Sequence, residues 1–315
     1  MIFASGLGAP ETPRLRADGG WMCVEGAPAR GSVTSISADG RTITRITRTG
    51  CPNGLCIDRR GDAWVAETNP HPSLMRVSPD GSTEIVIDRC GGLMFLLPND
   101  LCFSKAGHLY MTDSGIRMTD WAPDGKLRAD WASAPFDGRL YEIDLGRNQV
   151  RMIDSGMKFP NGIAFGPDGH LYVNEMITGE IFRYPFASGR PAGRREKFAN
   201  VLNADRSGGF RGPDGMAFSA DGRLWCTLFG ESAVVVLDLR GVEVGRIRTE
   251  GPAPTNIAFG WRGERRIYVT EQKLGQIESF EVDAEGWPID FGEPFSLDSS
   301  EHRQQSSSAP QTPTG

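Results

Sequence analysis

Short runs of alternating apolar and polar residues, each closed by a glycine turn, recur along this chain with a common opening. A Pro, a polar residue and often a Gly lead into an alternating strand, a Gly turn and an aromatic-led strand. The phrase reads PNGLCIDRRGDAWV at 52–65, PNDLCFSKAGHLYM at 98–111 and PNGIAFGPDGHLYV at 160–173. It returns as PDGMAFSADGRLWC at 213–226 and, more loosely, as PTNIAFGWRGERRIYV at 254–269; a degenerate copy, PETPRLRADGGWMC, occupies 10–23. The opening prolines, Pro10, Pro52, Pro98, Pro160, Pro213 and Pro254, are separated by 42, 46, 62, 53 and 41 residues. Between one phrase and the next lies a second pair of strands, as in GSVTSISADG or SAVVVLDLRG, again bounded by hairpin-type turns. Two strands plus two strands in about 40 residues is the period of a propeller blade. The chain is therefore expected to be all-β, a six-bladed β-propeller with four-stranded antiparallel blades; a β-solenoid would need shorter repeats.

The long third step comes from an insertion at about 114–137 carrying Arg117, Met118, Trp121, Trp131 and Phe136. Extra residues between strands collect on one face of such a ring, where ligands are often met. One domain is expected over 1–295. The Ser/Gln/Pro-rich stretch 296–315 has the composition of a disordered tail.

Composition narrows the function classes more than it names one. Among 315 residues, Gly 40 and Pro 21 fit many tight turns, and a net charge of −6 with no basic run gives no footprint for nucleic acid. No apolar stretch is long enough to cross a membrane, and no leader peptide is recognisable. The six cysteines, Cys23, Cys51, Cys56, Cys90, Cys102 and Cys226, form no C-x-x-C pair and read as buried free thiols of a reducing, cytoplasmic setting. His71, His108, His170 and His302 do not cluster; His108 and His170 each follow a turn glycine and are expected to be solvated.

The candidate chemistry sits at the second residue of each phrase: Glu11, Asn53, Asn99, Asn161, Asp214 and Thr255. All six bear a side-chain oxygen. Asn and Asp also favour ordinary turns, but placement at the head of six innermost strands directs them to the ring's axis. An all-oxygen set suits a hard cation such as Ca2+. Glu11 and Asp214 would balance its charge, with Asn99 and Asn161 filling neutral positions. Zn2+ has no Cys/His site here, although Zn2+, Mn2+ or Mg2+ remain alternative occupants of an oxygen site.

Taken together, P-E-x-P near the start, P-N-D with a later T-D, P-N-G, P-D-G-M and P-T-N followed by Y-V-T resemble the SMP-30/gluconolactonase/luciferin-regenerating family over residues 8–285. The resemblance implies a calcium propeller that opens lactones, with Glu11, Asn161 and Asp214 as metal ligands and Asn99 as ligand or substrate contact. Two departures concern the first blade. Glu11-Thr12-Pro13-Arg14-Leu15 replaces the usual E-G-P-x-W, and Glu25 stands near where an Asp is more usual. For hydrolysis of a small lactone or ester, Asp214 is the candidate base and Asp100 its alternative. Asn99, Asp100, Arg117 and Trp121 are candidate substrate contacts. A phosphotriester or fluorophosphate hydrolase on the same metal, and a binding propeller with a structural metal, are the competing functions.

Overall fold

Each Pro-led phrase forms the innermost two strands of a blade, because proline is tolerated at a strand's first residue and the glycine turn folds the next strand back. Gly169 (φ 77°) and Gly222 (φ 89°) show why glycine is needed there, since both adopt the left-handed region that other residues avoid. The computed structural model describes residues 1–202 and 209–288, and the expected tail at 296–315 falls outside them. Among the described residues, six four-stranded antiparallel sheets surround a central axis. Their innermost strands are Pro10–Leu15, Pro52–Ile57, Pro98–Phe103, Pro160–Phe165, Gly212–Phe218 and Pro254–Phe259, for blades one to six.

The second strands, such as Ala63–Glu67 and Leu171–Glu175, are buried throughout because they lie between neighbouring blades. Outer strands such as Thr83–Ile87 and Glu243–Arg248 expose most of their residues. Six apolar clusters fill the six gaps between blades. The core is thus a ring of sheet-to-sheet interfaces.

Closure uses the other end of the chain. Ile2–Ser5 pairs antiparallel with Gln276–Glu281 as the outer strand of blade six, a contribution that the repeat pattern left unread. Trp21 of blade one then stacks on Tyr268 of blade six with ring centroids 4.1 Å apart. The insertion carries a one-turn helix, Met118–Trp121, and two short 3-10 turns rather than open loop.

Two expectations need correction. All six cysteines are free, but Cys51, Cys90 and Cys102 are only half-buried. His108 and His170 are tied into the fold rather than solvated. His108 Nδ1 lies 3.1 Å from Glu142, and His170 Nδ1 accepts the Phe186 amide at 3.0 Å. In both cases a neighbouring strand supplies the partner that the turn motif could not show.

Candidate functional site

The site is built by one irregularity repeated six times. In every innermost strand the register slips just after the opening proline, between Pro52 and Leu55 or Pro160 and Ile163, for example. Corresponding slips occur in the other four blades. A bulge of this kind re-aims side chains, and here it directs the second and third residues of each phrase toward the axis.

In five blades a buried acid braces that geometry. The residue opposite the opening proline is Glu25, Glu67, Asp113, Glu175 or Glu271. Each carboxylate accepts backbone N–H groups from the segment entering the strand: Gly8 at 2.6 Å, Cys51 at 2.5 Å, Leu96 and Leu97 at 2.8 and 2.9 Å, Lys158 at 2.7 Å and Ala253 at 2.8 Å. Charge-assisted bonds to backbone amides are strong enough to hold a turn in one conformation. Blade five, which carries Asp214, has Leu228 opposite Pro213 instead.

A second set of contacts sets each blade against the next. Thr112 Oγ1 donates to the Asn161 carbonyl at 2.7 Å, Asn174 Nδ2 to the Asp214 carbonyl at 2.5 Å and Thr227 Oγ1 to the Thr255 carbonyl at 2.8 Å. The residues on the hub are thereby positioned by the preceding blade.

Glu11, Asn99, Asn161 and Asp214 are all buried, with 8%, 3%, 5% and 6% of their surface exposed. Burial pushes the Glu11 carboxyl well above its ordinary range, and the charges of Asp214 and Asp100 push it further. Asp214 is likewise raised, first by burial and then by Asp100, while a hydrogen bond from Asn161 pulls it back. Three carboxylates from blades one, three and five therefore sense one another around the axis. The Asn99 amide donates its Nδ2 to Ser114 Oγ at 3.0 Å, leaving Oδ1 as its oxygen donor. Asn161 Nδ2 rests 3.6 Å from Met176 Sδ. Thr255 is buried and bonds to the Pro10 carbonyl and Thr270 hydroxyl, whereas Asn53 is half-buried.

The third residues of the phrases form a narrow throat beneath this ring. A Cβ on Gly54 would lie 2.7 Å from Asp100 Cα, and one on Gly215 2.3 Å from Asn256 Cγ. Those glycines leave room for Asp100 and Asn256, which meet Thr12 at the axis. Asn256 Nδ2 donates to Asp100 Oδ2 at 3.1 Å and Thr12 Oγ1 at 3.2 Å, and Arg14 pairs with Asp100 at 3.6 Å. Asp100 also accepts the Leu101 amide at 2.8 Å. Sequence reasoning picked out Asp100 but missed Thr12, Arg14 and Asn256, which close the throat around it.

The two insertion candidates differ in where they lie. Trp121 is buried against Phe159 and Phe210, with centroids 4.8 and 5.1 Å away. Arg117 is exposed and lines a shallow surface cavity with Asp120, Arg128 and Asp130.

The donor set fits a hard divalent cation. Buried like charges face one another with Arg14 as a counter-charge at the throat, and the atoms on offer are carboxylate and amide oxygens. Among the described residues, no group of three His, Cys, Asp or Glu is placed to cage a metal by itself, so amides would have to complete the shell.

No helix of the described residues is long and apolar enough to cross a membrane. A family model described as the SMP-30/gluconolactonase/LRE-like region matches residues 73–273. A gluconolactonase of Zymomonas mobilis subsp. mobilis is 29% identical over 218 residues, covering 67% of this chain and 58% of that protein. The pentonolactonase XacC of Haloferax volcanii is 29% identical over 258 residues, covering 73% and 84%. The crystal structure of a calcium-binding protein, regucalcin, from Agrobacterium tumefaciens superposes with a TM-score of 0.75 at 19% identity, over 93% of this chain and 97% of that one. That likeness establishes the six-bladed fold. Because the family match runs from the third strand of blade two into blade six, the chain belongs to the SMP-30/gluconolactonase/LRE-like family.

Proposed function

We propose that this protein is a metal-dependent hydrolase that opens the ring of a lactone. The observation that carries the reading is the meeting of Glu11 and Asp214 in a buried hub with Asn99 and Asn161 beside them. The lactonase relatives support the choice of cyclic esters as substrates.

Glu11, Asn99, Asn161 and Asp214 would hold the cation, with Ca2+ the first choice for an oxygen set of this kind. When bound, such an ion supplies Lewis-acid polarisation of an ester carbonyl. The chain's own residues do the rest. Asp214, raised by burial and hydrogen-bonded by Asn161, is the group suited to take a proton from the attacking water. Asp100 is less suited, because its oxygens are engaged by the Leu101 amide, Asn256 and Arg14. Its role is to fix the throat below the reacting group and to keep the local field negative. The same network, which joins Thr12, Asp100 and Asn256 across the axis, would limit the passage of bulk water beneath the hub.

The test is acid release from δ-gluconolactone and dihydrocoumarin before and after EDTA, with CaCl2 added back. EDTA should abolish turnover and Ca2+ restore it. Full activity in EDTA would remove the metal from the reaction. A calcium-dependent rise in melting temperature without any turnover would make the protein a binding propeller.

A further inference from the structure

The hub is not surrounded evenly. On the side of Asn99 and Asn161 the residues before Pro98 and Pro160 are Leu97 and Phe159; before Pro213 stands Gly212, with Phe210 two residues further back in the same apolar cluster. On the other side the residues before Pro10, Pro52 and Pro254 are Ala9, Cys51 and Ala253. We propose that the apolar side is the substrate's specificity wall, and that it selects a lactone bearing an alkyl or aryl substituent over a polyhydroxylated sugar lactone. The proposal rests on the lactonase reading above.

The wall is continuous with the site. Phe159, Trp121, Phe210 and Phe229 meet one after another in tilted or edge-on contacts, with centroids 4.8 Å (Trp121–Phe159), 5.1 Å (Trp121–Phe210) and 5.6 Å (Phe210–Phe229) apart. Met176 belongs to the same cluster, and its Sδ touches the Asn161 amide. Phe210 and Phe229 are only half-buried, so part of each side chain is open. Phe159 adopts a φ of 65°, a costly backbone conformation for a bulky residue. It is retained where it sets the Phe159 ring into the wall while Asn161, two residues on, reaches the hub.

The wall's chemistry decides what it can hold. A sugar hydroxyl pressed against aromatic rings loses water and gains no hydrogen bond, which is unfavourable. An alkyl chain or aromatic ring in the same place gains by burial and by edge or face contact. The insertion that supplies Trp121 thus serves specificity through the aromatic cluster it completes, while Arg117 on its outer side has no part in it.

The calcium-loaded protein is assayed on δ-gluconolactone, δ-nonalactone and dihydrocoumarin. An apolar lactone should be preferred by about tenfold or more in kcat/KM, the scale of discrimination that apolar contacts provide. Phe229→Ala and Phe210→Ala should each reduce that preference several-fold through a higher KM for the apolar lactone, and Phe229→Leu should restore much of it. Equal or better use of δ-gluconolactone would overturn the wall assignment and leave the lactonase intact. Variants that lower all three substrates alike would also overturn it, because they would mark a purely structural cluster. No turnover of any of the three would remove the lactonase reading and this one with it.

Discussion

The two halves of the central channel are made by the same six strands yet carry opposite chemistry. The upper half presents Glu11, Asn99, Asn161 and Asp214 with Asp100 below them, and its carboxylates repel one another. The lower half opens as a cavity of ≈330 Å3, lined among others by Cys56, Cys102, Ala164, Ala217 and Ala258, the fifth residues of their phrases. In blade one the fifth residue is Arg14, and it reaches the throat to pair with Asp100. The contrast follows from where the bulge falls. Above it the strand turns polar residues to the axis; below it regular alternation brings Cys or Ala to the channel in five blades, while large apolar residues such as Phe103 and Phe218 pack in the gaps between blades and also reach the cavity wall. Position within the repeat therefore sets chemistry, and the throat network of Thr12, Arg14, Asp100 and Asn256 separates a polar end from an apolar one.

The sharpest way to break this comparison is at Asp214. Asp214→Asn should lower kcat/KM by about 10^3, within the range contributed by a positioned base, and weaken calcium-dependent stabilisation. Activity within tenfold of the parent would move the base elsewhere.

Calcium itself should stabilise the fold by about 2.7 kcal/mol at a hundredfold excess over Kd, and the effect should depend on pH in a defined sense. Folding raises the Glu11, Asp100 and Asp214 carboxyls above their ordinary range. The metal-free folded state then holds protons that the unfolded chain releases, so these groups cost stability as pH rises from the ordinary carboxylate range. Melting curves from pH 5 to 8 should accordingly show the largest calcium-induced shift at the upper end. A shift that is larger at pH 5 would contradict a carboxylate hub.

Next in size is the throat. Asn256→Ala leaves Asp100 and Thr12 without their shared donor in a buried place, at a cost of about 1–3 kcal/mol by urea denaturation. Unchanged stability would mean that the network is incidental. The smallest effect is expected in the lower half, where Ala217→Leu has the cavity to expand into and should alter stability by less than about 1 kcal/mol with turnover retained. Loss of activity in that variant would show that the two halves communicate.

Much of this was legible in the chain. The blades could be counted because each repeats its own turns and its own proline, and the six oxygen-bearing residues Glu11, Asn53, Asn99, Asn161, Asp214 and Thr255 could be picked out because they occupy one place in the phrase. The bracing acids also left a mark that went unread. They stand fifteen positions after Pro10, Pro52, Pro98 and Pro160 and seventeen after Pro254, and the same count from Pro213 meets Leu228. Thr12, Arg14 and Asn256 gave no such mark, for they occupy positions held elsewhere by Gly, Cys or Ala. Phe159 and Phe210 drew no notice, and His108 and His170 looked like solvated turn residues, because their partners belong to other strands or blades.

Local pattern alone determined that strands form, that they come in fours and that oxygen-bearing residues lead them, since propensity and turn chemistry act over a few neighbours. Which of those oxygens share a charge, what plugs the space below them and which side of the mouth is apolar were decided by ring closure. Glu11 and Asp214 are 203 residues apart in the chain, and only the assembled ring brings the Asp214 charge close enough to raise the Glu11 carboxyl further.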